Sequence, residues 1–483
     1  MIAPHRAIGR VAALLVILTL SSSLAADCTP EWDATLGQPG MDATVRSLAV
    51  FDDGNGPALY AAGSFASAGG QIVNNIARWD GQSWSDLNGG VNGTVRALHV
   101  HDFGNGPALY VGGLFDQAGE IASTGIARWD GSNWSALAGG VTGGSVRAMA
   151  SFQGQLYVAG GFTQAGGVNA NNLARWNNFQ WSPVGSGTNG RIDALVVHHS
   201  GSGDALYLGG GFTQAGPFNA GNVARWSGTQ WSPLASGVNA RVWALASLPG
   251  AEANQPDLLI AGGDFIVAGG QSAERIASWD GSVWSTFGGG MNDTVRALAV
   301  FDDGTEETGG PQLYAGGNFA LAGNVPVNSI ARWGHSDWFP LGSGTTGGGE
   351  NVRSLLEVQS ETEHSLYVGG QFTIAGDRPA GRIARWGCST PSPVNCAADL
   401  TGDGQVNVFD LLTLLAAWGP CPNAPACPSD LNGDHFINVF DLLELLNVWG
   451  PCPSEAAAHS SRGGTIDSVA TSLHPGAGAI IGE

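Results

Sequence analysis

Along residues 28–388 the apolar positions fall in short alternating runs, many of which close on tryptophan. A strand ending in Trp79, Trp129, Trp176, Trp226, Trp279, Trp333 and Trp386 returns at intervals of 47 to 54 residues, within segments such as Ile76-Ala77-Arg78-Trp79. A second tryptophan follows five residues later at Trp84, Trp134, Trp181, Trp231, Trp284 and Trp338, and is missing after Trp386. Fourteen of the 17 tryptophans keep this beat, with Trp32 as the counterpart of the missing one. In the second unit the pattern predicts strands at Val95–Val100, Ala108–Phe115, Gly125–Trp129 and Ser132–Leu137, with Asp130-Gly131 as the last hairpin turn. Four short strands per unit at a period near 50 residues predict an all-β, seven-bladed propeller.

Each second strand runs into a glycine-rich turn, then Phe, then Ala-Gly three residues on. Phe65, Phe115, Phe162, Phe212, Phe265, Phe319 and Phe372 hold that place. Glycine is expected there for the positive φ of such turns. An open first or last sheet would expose unpaired edges. Trp32 to Leu36 is therefore expected to serve as the outer strand of the last blade. Cys28 and Cys388 occupy the two places that Asp130 and Gly131 hold in an intact hairpin. A Cys28–Cys388 disulfide would then replace a peptide link at the seam, contributing about 4–5 kcal/mol in a chain-entropy account.

The Gly-Gly-x-Phe-x-x-Ala-Gly and Ile-Ala-Arg-Trp motifs, present in seven units with small departures such as Ala62-Gly63 and Ile276-Ala277-Ser278-Trp279, resemble the kelch-like repeats of the fungal cortical polarity-marker family and related bacterial secreted proteins. The resemblance covers residues 28–388 and implies a fold and an extracellular setting, not an activity. Residues 1–26 read as a secretory signal, with Arg6 and Arg10, an apolar run from Val11 to Leu20, and Ala25-Ala26. That run is too short to span a membrane, and six cysteines suit an oxidising compartment. The formal charge is −21, or about −23 once the two signal arginines are removed, which argues against nucleic acid as a partner. There is no lysine. Arg46, Arg96, Arg147, Arg191, Arg241, Arg296 and Arg353 recur at the start of the first strand, where an innermost position would gather them at one mouth of the channel. Two readings stand: an anion or carboxylate-sugar site, and structural pairs with nearby carboxylates, which strict repetition favours.

After a Ser/Pro linker at 389–395 a different repeat appears twice, offset by 31 residues. Asp399, Thr401, Asp403, Asn407 and Asp410, then Asp430, Asn432, Asp434, Asn438 and Asp441, place oxygen side chains at loop positions 1, 3, 5, 9 and 12. Gln405 and Phe436 supply the backbone carbonyl of position 7. Such all-oxygen loops suit calcium. Each loop leads into an apolar helix, Leu411 to Trp418 and Leu442 to Trp449, and two such helices can cover each other's leucines. Loop then helix, with Asp at position 12, resembles the type I dockerin family over residues 396–452, a small EF-hand-like α domain. The resemblance implies two calcium sites and calcium-dependent docking to a cohesin-like protein or another cell-envelope component. His435 stands where that family has glycine, so the second site is expected to be weaker. Val408-Phe409 and Val439-Phe440 hold the family's docking positions, either as an apolar interface or, the reading preferred, as core. Pseudo-twofold disulfides, Cys396–Cys452 and Cys421–Cys427, avoid spanning a helix of about 13 Å, which within-copy pairing would require. Residues 453–483 read as a disordered tail.

No catalytic set emerges. Tyr60, Tyr110, Tyr157, Tyr207, Tyr314 and Tyr367 share one repeat position and read as packing. The Asp-Gly-x-x-Trp turns resemble the structural Asp-box of sialidase propellers, one residue short. His99, His101 and His198-His199 lack a carboxylate at metal-ligand spacing. Trp243, the one propeller tryptophan off the beat, reads as a blade filler, with a sugar platform as the alternative. Glu306 and Glu307 read as a solvated loop tip. These features favour a secreted, non-enzymatic binding protein; a polysaccharide hydrolase or lyase carried by the dockerin-like module is the alternative.

Overall fold

Alternating side chains become strands because one face of each run is apolar, and the strands pair antiparallel in fours. The computed structural model describes residues 30–201, 203–250, 255–303, 310–349, 352–359, 364–388, 398, 400, 405–420, 429–431, 436–447 and 450–451. The chain divides into two compact units, Met1–Cys388 and Ser389–Glu483. Among the described residues the first unit holds seven four-stranded antiparallel sheets. In the second of them the strands are Thr94–Asp102, Pro107–Leu114, Ile126–Trp129 and Trp134–Ala136. The first strand of every sheet touches the first strand of the sheets before and after it, and Val45–Asp52 touches Val352–Gln359. That closed cycle fits a β-propeller with these strands innermost.

The N-terminal segment closes the cycle. Glu31–Asp33 pairs with the strand Ile383–Cys388, and Trp32 lies opposite Trp386. The strand stops at Asp33 rather than reaching Leu36. Asp33 Oδ1 accepts from the Thr35 backbone N–H at 2.9 Å and the Thr35 hydroxyl at 2.7 Å, which turns the chain into a single 3₁₀ turn at Thr35–Gly37. The Asp33 carboxylate also pairs with Arg385 at 2.8 Å across the seam.

Tryptophan joins sheet to sheet. The indole Nε1 of Trp84, Trp134, Trp181, Trp284 and Trp338 donates to a backbone carbonyl of the preceding sheet's outer segment: Leu36, Leu87, Leu137, Leu234 and Gly288, at 2.7 to 3.2 Å. Trp32 makes the same bond to Leu341 at 2.7 Å, although 309 residues separate them. The partner tryptophan of each sheet packs against the donor ring, with centroids 5.4 Å apart for Trp32 and Trp386.

The glycines of the repeat do two different jobs. Neither glycine of the Gly-Gly pair before the Phe takes the positive φ expected there. A Cβ on Gly112 would lie 2.5 Å from Val146 Cγ1 of the next sheet, so the position is small because the neighbour leans in. The glycine of Ala-Gly does have positive φ, 53° at Gly119, and a Cβ there would also strike the Trp134 ring at 2.8 Å.

The second unit contains helices α1 (Val408–Ala416) and α2 (Val439–Asn447). Both begin three residues before Leu411 and Leu442, because Asn407 caps α1: its Oδ1 accepts from Phe409 N–H while Asp410 Oδ2 accepts from Asn407 N–H. Asn438 and Asp441 repeat the arrangement. Gln405 pairs with Pro451 and Phe436 with Pro420, so each loop strand pairs with the chain that leaves the other copy's helix. Ala398, Val406, Leu414, Ile437 and Leu445 form the small core.

Replacing Trp32 by Ala removes a buried indole and the bond to Leu341. The expected loss is about 3–5 kcal/mol, read from denaturant unfolding, with self-association through the freed edge of the Trp386 strand visible by size-exclusion chromatography.

Candidate functional site

All seven innermost strands break register at the same place, near the strand start: Val45/Ser47, Val95/Ala97, Val146/Ala148, Ile192/Ala194, Val242/Ala244, Val295/Ala297 and Val352/Ser354. A bulge leaves one residue unpaired and re-aims its side chain. The residues at these bulges are Arg46, Arg96, Arg147, Asp193, Trp243, Arg296 and Arg353. The repetition is thus broken in two adjacent sheets, where Arg191 and Arg241 stand two residues before the bulge. The sequence alignment that put all seven arginines at one position was wrong by two residues there.

The side chains converge. Arg46 is held below the usual guanidinium value first by burial, then by Arg147 and Arg296, which lie two sheets away on either side. Burial, with Arg46, Arg296 and Arg96, brings Arg353 down to about 9. Asp193 is the counter-charge of one arc: Arg241 Nε reaches its Oδ2 at 2.7 Å, Arg147 its Oδ1 at 3.3 Å and Arg191 its Oδ2 at 3.5 Å. Its side chain is only 3% exposed, and burial pushes its carboxyl up to about 6 against the pull of Arg147, Arg191 and Arg96. On the opposite arc, the Nε of Arg46 and of Arg96 is buried without a hydrogen-bond partner. Around Asp193 the expected arginine–carboxylate pairs are present, with Arg147, Arg191 and Arg241 sharing one carboxylate.

Trp243 does not fill a blade. Its half-buried ring lies under Arg241, whose Cζ is 3.1 Å from the centroid, with Arg296 at 4.3 Å and Arg191 at 5.7 Å. Its Nε1 donates to Asp264 Oδ2 at 2.8 Å. The signal in the sequence was its place in the motif, Val242-Trp243-Ala244 against Val45-Arg46-Ser47, rather than its being off the tryptophan beat.

Of His99, His101, His198 and His199, the first three are packing residues, while His199 is exposed, its Nδ1 3.0 Å from Asp204 Oδ1, a carboxylate the sequence spacing did not reveal. His101 and His198 take the position held by Phe51, Phe152 and Phe301, each against the tyrosine of its own sheet. His99 Nε2 and His101 Nδ1 both lie 2.7 Å from Ser151 Oγ on the next sheet, and His198 Nδ1 lies 2.7 Å from Ser247 Oγ. Five of the six tyrosines are buried to 1% exposure or less, and Tyr367 to 8%. Two surface cavities, of about 730 and 560 Å³, are separate from the arginines; the larger mixes neutral polar residues with Trp79, Trp84, Ile72 and Asp86, and the smaller is lined mainly by neutral polar residues.

In the second unit Asp410 and Asp441 are fully buried, and Asp441 Oδ1 accepts from Leu431 N–H while its Oδ2 accepts from Asn438 N–H. These carboxylates hold the loop backbone, and among the described residues no group of three or more His, Cys, Asp or Glu side chains is placed to hold a metal ion. Asp399, Thr401, Asp403, Asn432 and Asp434 lie outside the described residues, as do Cys28, Cys396, Cys421, Cys427 and Cys452, the signal segment, Glu306-Glu307 and the C-terminal tail; Cys388 is described in its backbone alone. The preference for core at Val408-Phe409 and Val439-Phe440 fails. Phe409 is 63% and Phe440 61% exposed, because the caps turn the first helical residues outward and leave Leu414 and Leu445 to face the core.

No family model and no curated protein matches the chain. Two crystal structures of the extracellular domain of BT4673 from B. thetaiotaomicron, described as a one component and as a hybrid two component system, each match with a TM-score of 0.43, at 12% and 13% identity. Each match covers 74% of this chain and 39% of that one, so the chain spans about two fifths of their length. No helix among the described residues is long and apolar enough to cross a membrane.

Burial, with His101, holds His99 down to about 4. An unfolded histidine takes up its proton near pH 6.5 and the folded one does not, so stability is complete above about pH 6.5 and declines towards pH 4. His99→Gln should remove that part of the acid sensitivity. At pH 5 the wild type should have lost about 2 kcal/mol more than the variant, relative to pH 7.5, in urea titrations.

Proposed function

We propose that the chain is a secreted, non-enzymatic binding and assembly protein. In this reading the seven sheets are the blades of a kelch-like propeller that serves as a recognition platform, and its face is the mouth where the arginines gather. The observation that carries the reading is the broken repetition at Asp193 and Trp243: architecture would repeat arginine seven times, whereas a recognition site needs unlike groups side by side.

The C-terminal unit acts as a calcium-dependent, dockerin-like module. Calcium fixes the two loops through the residues at positions 1 to 12 of each, which orients α1 and α2 and so presents Val408-Phe409 and Val439-Phe440 to a cohesin-like partner. The exposure of both phenylalanines supports this, since each helix keeps a cluster of apolar side chains in solvent, Val408, Phe409 and Leu412 on α1 and Val439, Phe440 and Leu443 on α2, as an interaction surface would.

Surface-plasmon capture on an immobilised cohesin-like module tests the docking. Binding is expected in calcium and should disappear on adding a chelator. Asp410→Ala with Asp441→Ala should abolish it by loosening both loops, and Phe409→Ser with Phe440→Ser should weaken it at least about tenfold, with helix content by circular dichroism unchanged. Binding that is indifferent to calcium would overturn this half of the reading. A screen for sugar release from plant and algal polysaccharides decides against the hydrolase or lyase alternative if no turnover is found, and for it if turnover disappears on mutating loop carboxylates.

A further inference from the structure

Resting on the platform reading, we infer that the arginine mouth binds a small oxyanion carrying two or more negative charges, held in the arc from Arg296 through Arg353, Arg46 and Arg96 to Arg147. Three observations lead there. First, the bulges place five arginines on five consecutive innermost strands that touch one another, near enough that Arg46 feels Arg147 and Arg296 and that Arg353 feels Arg46, Arg296 and Arg96, and two more arginines join from the remaining sheets. Arg296 at one end of the arc feels Asp264, Asp293 and Asp193, whereas the charges acting on Arg46 at its middle are Arg147 and Arg296, and like charges brought together under partial burial raise the energy of the folded protein unless an anion sits among them. Second, the one carboxylate at a bulge, Asp193, engages Arg147, Arg191 and Arg241 and leaves Arg46 and Arg96 on the far arc without an ion pair among the described residues. Arginine is also the residue whose planar fork matches carboxylate, sulfate and phosphate oxygens in pairs.

Third, charge distribution sets the size of the ligand. Seven of the chain's 19 cationic residues are drawn into this ring, while the whole protein carries −21. An extended polyanion lying across the surface would meet that acidic exterior. A compact one, smaller than the roughly 8–10 Å over which charges are felt at physiological ionic strength, meets only the arginines. The Asp193–Arg241–Trp243 arc then bounds the site on one side. Arg241 is fixed by its two-point contact with Asp193 and stacked on Trp243, so it forms a wall rather than a free donor.

Calorimetric titration of the full mature chain, in buffer without added calcium, tests the inference, with citrate, a sulfated disaccharide and inorganic phosphate as probes. Acetate, glucuronate and neutral cellobiose serve as controls. At least one multivalent probe should bind once per chain, at least about a hundredfold more tightly than acetate and with an affinity that falls steeply with salt. Which probe wins separates a carboxylate ligand from a sulfate or phosphate one. Arg46→Gln with Arg96→Gln should weaken that binding at least about a hundredfold, while Arg378→Gln, on an exposed outer hairpin, should leave it unchanged. If the double variant fails to fold, the wild type still decides: the arginine Nε–H resonances that disappear in Arg46→Lys and in Arg96→Lys should shift on saturation with the winning probe. Absence of saturable binding by every multivalent probe would overturn the inference, as would binding that ignores the ring variants or involves many ions per chain. A chain that binds no anion but captures a neutral glycan loses this inference and keeps the platform. One that binds an anion in the ring and also converts it keeps the inference and loses the non-enzymatic reading.

Discussion

The indole of the second tryptophan is the interaction on which the first domain depends, and it donates to the preceding sheet in six of the seven units; Trp231 packs in the same place without that hydrogen bond. A four-stranded sheet of short strands cannot bury both faces by itself, and its stability comes from the neighbours on either side. An indole that donates to a carbonyl of the preceding sheet, while its ring covers a glycine of its own sheet, fixes both the spacing and the tilt of that contact. The ring is large enough to fill the wedge between outer strands, and its N–H satisfies a carbonyl that would otherwise be buried alone. Trp32 performs this task at the seam from the other end of the chain, with Gly376 beneath it.

Closing the cycle has a consequence at the axis. Once the sheets are fixed at their outer edges, the innermost strands crowd, and each relieves the crowding with a bulge beside a fully buried Val or Ile. The bulge residue has nowhere to point but toward its six counterparts. Five arginines, an aspartate and a tryptophan then share a space in which burial lowers the arginines' proton affinity and raises that of Asp193. Fold energetics and recognition chemistry meet at this place: the outer edge supplies the stability against which the axial charges are assembled.

The fold was legible because its causes are local and repeated. The tryptophan beat, the Ala-Gly step and the absent seventh tryptophan locate the sheets and the seam. Other features depend on contacts that no single unit contains. Gly112 looks like a turn residue until Val146 of the next sheet is seen leaning into it. Arg191 and Arg241 look equivalent to Arg46 until the bulges show that Asp193 and Trp243 hold that place. Asp193 passed unnoticed in the sequence, although lining up Ile192-Asp193-Ala194 with Val45-Arg46-Ser47 would have revealed it. In the second unit the oxygen pattern was readable, but the exposure of Phe409 and Phe440 follows from cap geometry at Asn407 and Asn438, which composition does not reveal.

Hydrogen exchange at the indole Nε1 of Trp32, followed by NMR in tryptophan-labelled protein, tests the closed cycle most directly. The account predicts that this proton exchanges as slowly as those of Trp84, Trp134, Trp284 and Trp338, through opening of the whole first domain. Rapid exchange at Trp32 alone, with the other four protected, would mean that the seam is open and that the arginines are not held in a closed ring.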